Sequence, residues 1–195
     1  MLRIKTLPLG LYQTNTYIIA SAASKTCCII DPGYEAETIL DYLDESGLQL
    51  EAILLTHGHF DHVGAVRDLV AETGCRVYIH PEDLQLPPMF TAGRIYYTHT
   101  YTEGSQLDLA GLSIHVLHTP GHTPGSVCLL TENVLFSGDT LFAGSCGRTD
   151  IGGSWPVIQA SLKRLQTIEA DFTVYPGHGE STTLAREKKY NPYMR

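Results

Sequence analysis

The stretch Thr56-His57-Gly58-His59-Phe60-Asp61-His62 places four side chains able to ligate a metal within six residues, directly after the apolar run Ala52-Ile53-Leu54-Leu55. Imidazoles and a carboxylate so close together would cost free energy if buried alone, because each must be hydrogen-bonded, ion-paired or ligated. A metal ion supplies such a partner. Three more donors stand in similar settings: His122 in Thr119-Pro120-Gly121-His122, Asp139 in Ser137-Gly138-Asp139, and His178 in Pro176-Gly177-His178. Together these nitrogen and oxygen donors are too many for one tetrahedral structural ion and suit two neighbouring ions sharing a carboxylate. A set without thiolate favours zinc, iron or manganese.

Positioning these residues requires strand ends. Ala52 to Leu55 reads as a buried strand, and Val63, Val66, Leu69 and Val70 at helical spacing predict a helix over 63–73 that stops at Gly74. The first cluster therefore falls in a strand-to-helix loop at the carboxyl end of a strand, where open α/β sheets keep their sites. Leu112, Ile114 and Val116 alternate in a strand that runs toward His122, Asn133 to Phe136 runs into Asp139, and Phe172 to Tyr175 runs into His178. Strands distant in sequence can thus deliver their ends to one rim. Upstream, strands over 16–19 and 27–30 precede a helix around 35–45, and Arg76 to Ile79 resumes the sheet. A comparable series, with strands near 113, 126–130 and 134, leads to a helix opened by Ser154 and Pro156 with Val157, Ile158, Leu162 and Leu165 inward. Two such halves predict an α/β (α+β) fold with sheet packed on sheet and helices outside. Residues 81–102, which include Pro87-Pro88 and Tyr96-Tyr97, read as a loop-rich insertion, either a pocket wall or plain connection.

A chain of 195 residues with 43% hydrophobic content fits one filled domain over 1–195. A formal net charge of -8 without a lysine or arginine cluster argues against a nucleic-acid partner. No apolar segment approaches membrane-spanning length and no signal-like stretch opens the chain, so no membrane partner and a cytoplasmic location are expected. Cys27, Cys28, Cys75, Cys128 and Cys146 lack the spacing of a disulfide framework or zinc ribbon and read as reduced. Cys27 and Cys28 read as core thiols, and Cys146 as a packing residue of a glycine-rich loop.

The motifs from Thr56 to His62, from Thr119 to Gly125, from Ser137 to Phe142, Cys146-Gly147-Arg148-Thr149-Asp150 and Pro176-Gly177-His178-Gly179 span the chain nearly end to end. On them the chain resembles the metallo-β-lactamase-fold hydrolases, and within these the short, single-domain glyoxalase II (hydroxyacylglutathione hydrolase) group. The resemblance implies a four-layer αββα sandwich. It implies that His57, His59 and His122 hold one metal, that Asp61, His62 and His178 hold the other, and that Asp139 bridges them. Asp61 and Asp139 are the implied catalytic carboxylates. Asp31, in Ile29-Ile30-Asp31-Pro32-Gly33, matches a carboxylate that steadies the loop of the first histidines from outside the ligand set. Arg148 matches a basic residue near the pocket and is expected to bind a substrate carboxylate.

The implied cofactors are two divalent ions, zinc foremost, with iron or manganese as alternatives. The implied reaction is hydrolysis of a thioester such as S-D-lactoylglutathione by a hydroxide held between them, with a thiolate leaving unaided by a general acid. Two divalent ions, two aspartates and one hydroxide leave roughly +1 at the site, so a small anionic thioester is the expected partner of this acidic protein. Classical members carry a carboxy-terminal helical domain that contacts glutathione. Here only Arg186, Lys188, Lys189 and Arg195 follow His178 as cations, so that domain is not expected and another thiol carrier is an alternative. The competing enzyme is a persulfide dioxygenase with a single iron at positions matching His57, His122 and Asp139. A catalytically silent metal-binding module is disfavoured by the complete ligand set.

Overall fold

The protein is described by a computed structural model over residues 1–91 and 93–195. The alternating and apolar runs form strands β1 (Leu2–Leu9), β2 (Thr14–Ser21), β3 (Thr26–Ile30), β4 (Gln49–Leu54), β5 (Arg76–Ile79) and β6 (His99–Thr100). These make one sheet in sequence order, antiparallel from β1 to β3 and parallel from β3 to β6. The other sheet contains β7 (Gln106–Leu109), β8 (Leu112–His118), β9 (Val127–Thr131), β10 (Val134–Gly138), β13 (Thr173–Pro176) and β14 (Thr182–Thr183), ordered β14-β13-β10-β9-β8-β7. The short pair β11 (Leu141–Phe142) and β12 (Ser145–Cys146) stands apart from both. The helices are α1 (Ala36–Ser46), α2 (Phe60–Val63), α3 (Val66–Thr73), α4 (Pro88–Thr91), α5 (Trp155–Gln166) and α6 (Leu184–Tyr190).

One hydrophobic cluster takes Tyr17, Ile19 and Ile29 from the first sheet, Ile114, Leu129 and Phe136 from the second, and Ile39 and Leu69 from α1 and α3. The sheets therefore face each other, and two helices cover the first. A separate cluster packs Ile158, Leu162 and Leu165 of α5 against Leu135 of β10 and Val174 of β13, which completes four layers. Each fully buried isoleucine or leucine contributes about 1.5–3 kcal/mol toward holding the layers together. Gly47 and Gly74, at φ +65° and +66°, end α1 and α3 in left-handed caps.

Three expectations need adjustment. The helix expected over 63–73 is two helices, because at Gly64-Ala65 the chain packs on the Pro32-Gly33 turn. The Ala65 N–H donates to the Pro32 carbonyl at 3.0 Å, and a Cβ on Gly64 would stand 2.1 Å from the Gly33 oxygen. The 81–102 segment is more ordered than a loop: it holds a 3₁₀ turn over Pro81–Gln85, then α4 and β6, while its position 92 lies outside the described residues. Strands β1 and β7 were not expected, and their alternation of half-buried with exposed residues is the pattern of sheet edges.

Candidate metal centre

Strand ends deliver the donors as the sequence suggested. The turn after β4 carries His57 and His59, α2 carries Asp61 and His62, the β8–β9 turn carries His122, Asp139 follows β10, and His178 follows β13. His57, His59 and His122 form one group and Asp61, His62 and His178 another, in each of which the ligand atoms lie within 4.8 Å of one another. Asp139 stands between them: Oδ2 is 3.5 Å from His122 Nε2 and 3.6 Å from His178 Nε2, and Oδ1 is 3.5 Å from His62 Nε2. The approach depends on Gly177, since a Cβ there would stand 2.1 Å from Asp139 Oδ1 and 2.7 Å from His62 Cε1.

The hydrogen-bond network assigns the tautomer of every ring. The Thr56 hydroxyl donates to Asp31 Oδ2 at 2.6 Å and so accepts from His57 Nδ1 at 3.1 Å. His59 Nε2 donates to the Ile151 carbonyl at 3.0 Å, His122 Nδ1 to the Arg148 carbonyl at 2.7 Å, and His178 Nδ1 to the Tyr12 carbonyl at 3.1 Å. His62 Nδ1 donates to Asp31 Oδ2 at 3.0 Å. In each ring the outer nitrogen holds a proton, so the inner nitrogen of the neutral ring has its lone pair toward the centre, the arrangement that outer partners impose on metal-ligating histidines. The inner nitrogens of His59 and His122 lie 2.8 Å apart. His57 Nε2 and Asp139 Oδ1 are buried there without a hydrogen-bond partner. A divalent cation would satisfy both, and the donor set fits one.

Asp31, expected as a support, bonds to Thr56 and His62. It is buried at φ +50°, a conformation a non-glycine residue keeps only where its surroundings fix it. Besides the two bonds above, its Oδ1 accepts the Thr56 N–H at 2.7 Å. The sequence reading did not foresee Thr14 and Asn15. The Thr14 hydroxyl donates to Asp61 Oδ2 at 3.3 Å, and the Asn15 amide donates to the carbonyls of Pro176 and Gly179 around His178. A buried polar pair opening an apolar strand is the signal that would have marked them.

Burial, reinforced by neighbouring imidazoles, drives His57 well below the usual histidine value and takes His59 to about 4. Burial opposes the charge on His62 too, but the carboxylates of Asp139, Asp31 and Asp61 outweigh it and raise this residue to about 9. His178 is raised against its burial by the contact with Asp61, and Asp61 is held well below the carboxylate range, against its own burial, by His178 and His62. The metal-free protein thus carries a second proton on His62 at pH 7, which a metal bound there would have to displace because a ligating imidazole is neutral. Zinc uptake at pH 7 is expected to release protons, and zinc affinity to rise with pH until about 9. Titration calorimetry in two buffers of different ionisation heat checks this; identical heats would contradict it.

A cavity of about 480 Å³ opens over the centre, walled beyond the ligands by Tyr12, Phe60, Phe142, Cys146, Arg148 and Ile151. Arg148 reaches the cavity as expected, but its Nε and Nη2 donate to the Asp150 carboxylate at 2.6 and 2.5 Å, so a substrate carboxylate would compete with Asp150 for it. Burial pushes the Cys146 thiol up to about 11, which leaves it protonated and unsuited to attack. None of the described residues of segment 81–102 lines this cavity, although Phe90 packs edge-on to His59 at 6.3 Å. A further donor group, His80, Glu82 and His118, lies outside the centre. Its two rings stack at 4.1 Å and 13° instead of converging, and His80 Nδ1 accepts the Glu82 N–H to cap the 3₁₀ turn. Packing and capping account for that group.

The family model described as Metallo-beta-lactamase superfamily matches residues 9–178. The chain is 35% identical over 213 residues to a hydroxyacylglutathione hydrolase GloC from Haemophilus influenzae, covering 99% of this chain and 98% of that one. Among solved structures it resembles the BLEG-1 B3 metallo-beta-lactamase, with a TM-score of 0.91 at 36% identity over 98% of this chain and 99% of the other. It also resembles TTHA1623 in a di-iron-bound form, with a TM-score of 0.84 at 39% identity over 97% and 99% of the chains. ETHE1 from Myxococcus xanthus gives 0.83 at 30% identity over 97% and 83%. No helix among the described residues is long and apolar enough to cross a membrane.

Proposed function

Because the chain belongs to the metallo-β-lactamase superfamily, we propose that it is a binuclear metallohydrolase acting on a small anionic thioester such as S-D-lactoylglutathione. The observation that carries the proposal is the set of five histidines, each tethered by its outer nitrogen and aimed inward in two groups about Asp139. His57, His59 and His122 would hold one ion, Asp61, His62 and His178 the other, and Asp139 both. Zinc is the first choice of metal, with iron or manganese as alternatives; a relative of known structure holds two irons. When bound, the ions would supply Lewis acidity to a carbonyl oxygen and activate water near neutral pH.

The chain's own residues do the rest. Tyr12, Phe60, Phe142 and Ile151 offer apolar walls that orient the substrate and exclude bulk water, and Tyr12 meets Phe60 edge-on at 5.5 Å. Asp61 and Asp139 keep negative charge beside the reacting centre, and a thiolate leaves without an acid because its conjugate thiol is far more acidic than an alcohol. The sequence relative named a hydroxyacylglutathione hydrolase supports the substrate class. A mononuclear-iron persulfide dioxygenase is the alternative, and it would leave Asp61, His62 and His178 oriented round a point with no use.

The deciding experiment loads the protein with defined zinc, iron or manganese, counts bound ions and assays S-D-lactoylglutathione hydrolysis. Two ions and metal-dependent turnover are expected. One iron with oxygen uptake on glutathione persulfide would install the dioxygenase, and two ions without turnover would redirect the search to other thioesters.

A further inference from the structure

Asp83 is a carboxylate with no part in the ligand set, yet it is fully buried. It sits on the 3₁₀ turn Pro81–Gln85, in the segment whose sequence reads as either a pocket wall or plain connection. Its Oδ2 accepts the Gly58 N–H at 2.7 Å and the Thr123 hydroxyl at 2.8 Å, and its Oδ1 accepts the Gly125 N–H at 2.6 Å. Gly58 separates His57 from His59, and Thr123 follows His122. One side chain therefore grips both loops that supply the His57, His59 and His122 group. Room for it is made by Gly125, where a Cβ would stand 2.6 Å from Asp83 Oδ1.

Asp31 performs the complementary task, binding His62 directly and His57 through Thr56. Neither Asp83 nor any of its three donors touches Asp61, His62 or His178 through a hydrogen bond recorded among the described residues. Burial alone would raise an isolated carboxyl, and Asp83 is raised to about 6 even with three donors opposing the shift, so the cost of keeping it here is real.

We propose that Asp83 is a positioning residue that fixes the His57–His59 loop against the His122 loop and thereby sets the affinity of one metal ion without setting that of the other. The inference rests on the two-ion reading above. Asparagine at 83 would keep one acceptor oxygen and turn an amide NH₂ toward a donor, spreading the two loops while filling the same volume. Loss of such a support typically weakens a metal site about 10–100-fold.

The test titrates metal-free wild type, Asp83→Asn and Thr123→Val with zinc against a chelator of known affinity. Zinc-edge anomalous diffraction then locates the weakened ion, and circular dichroism with melting curves reports the fold. Expected is a loss of about 10–100-fold for the ion at His57, His59 and His122 in Asp83→Asn, and a smaller loss at the same ion in Thr123→Val. The other ion should keep its wild-type affinity. Unchanged affinities in a folded variant would overturn the proposal, as would equal weakening of both ions or weakening confined to the Asp61, His62 and His178 group. Should Asp83→Asn fail to fold, Thr123→Val, which removes a single hydroxyl, decides by the same criteria. Wild type taking up one zinc only would overturn the two-ion reading; the Asp83 assignment would then stand or fall on that zinc's affinity in the variants.

Discussion

Replacing Asp139 by alanine is expected to lower kcat/KM for the proposed thioester hydrolysis by about 10³-fold or more, the upper range for loss of one preorganised electrostatic group. Asp139 faces His122 and His178 through Oδ2 and His62 through Oδ1, so its loss removes a carboxylate that stands between the two ligand groups. The fold should survive. Asp139 Oδ1 has no hydrogen-bond partner, so truncation leaves no donor of the scaffold stranded. Circular dichroism should match wild type while metal analysis shows fewer ions per chain. Full activity in a metal-counted variant would remove Asp139 from the mechanism.

Asp31→Ala is expected to act on stability first. Its carboxylate accepts the Thr56 N–H, the Thr56 hydroxyl and His62 Nδ1 at 2.7, 2.6 and 3.0 Å. Truncation strands three buried donors, each worth about 1–3 kcal/mol when left unsatisfied. Alanine also tolerates the φ of +50° less well than aspartate. A total near 3–5 kcal/mol is comparable with breaking a buried charge pair, and should lower the melting temperature of the metal-free protein by about 10 °C or more. Asp31→Asn, which keeps one acceptor and the backbone preference, should lose less. An alanine variant melting within about 2 °C of wild type would show that Asp31 does not hold the loop.

Much of this was legible in the sequence because its chemistry is repetitive. A run such as Ala52-Ile53-Leu54-Leu55 ending in a polar, glycine-bearing turn marks a buried strand and its rim, and the pattern recurs before Asp139 and His178. All seven expected donors converge as a result. Edge strands were harder. In β1, Arg3 and Lys5 alternate with Leu2 and Ile4, and an edge with one wet face needs no continuous apolar run. Asp83 was invisible for a different reason: in Pro81-Glu82-Asp83 an aspartate reads as an exposed acid at the start of a turn. Only the fold brings Gly58 and Gly125 to it, from 25 and 42 residues away. Arg148 was foreseen at the cavity, but its engagement by Asp150 is a matter of rotamers that spacing does not encode.

The segment that follows β12 touches the centre and the cavity by different means. Arg148 and Ile151 give their carbonyl oxygens to His122 and His59, whereas their side chains face the cavity. A carbonyl is the same whatever side chain its residue bears. Exchanges at 148 and 151 can therefore alter which molecules the cavity accepts while the imidazole tethers persist, so the selectivity of the pocket and the orientation of the centre can be varied separately.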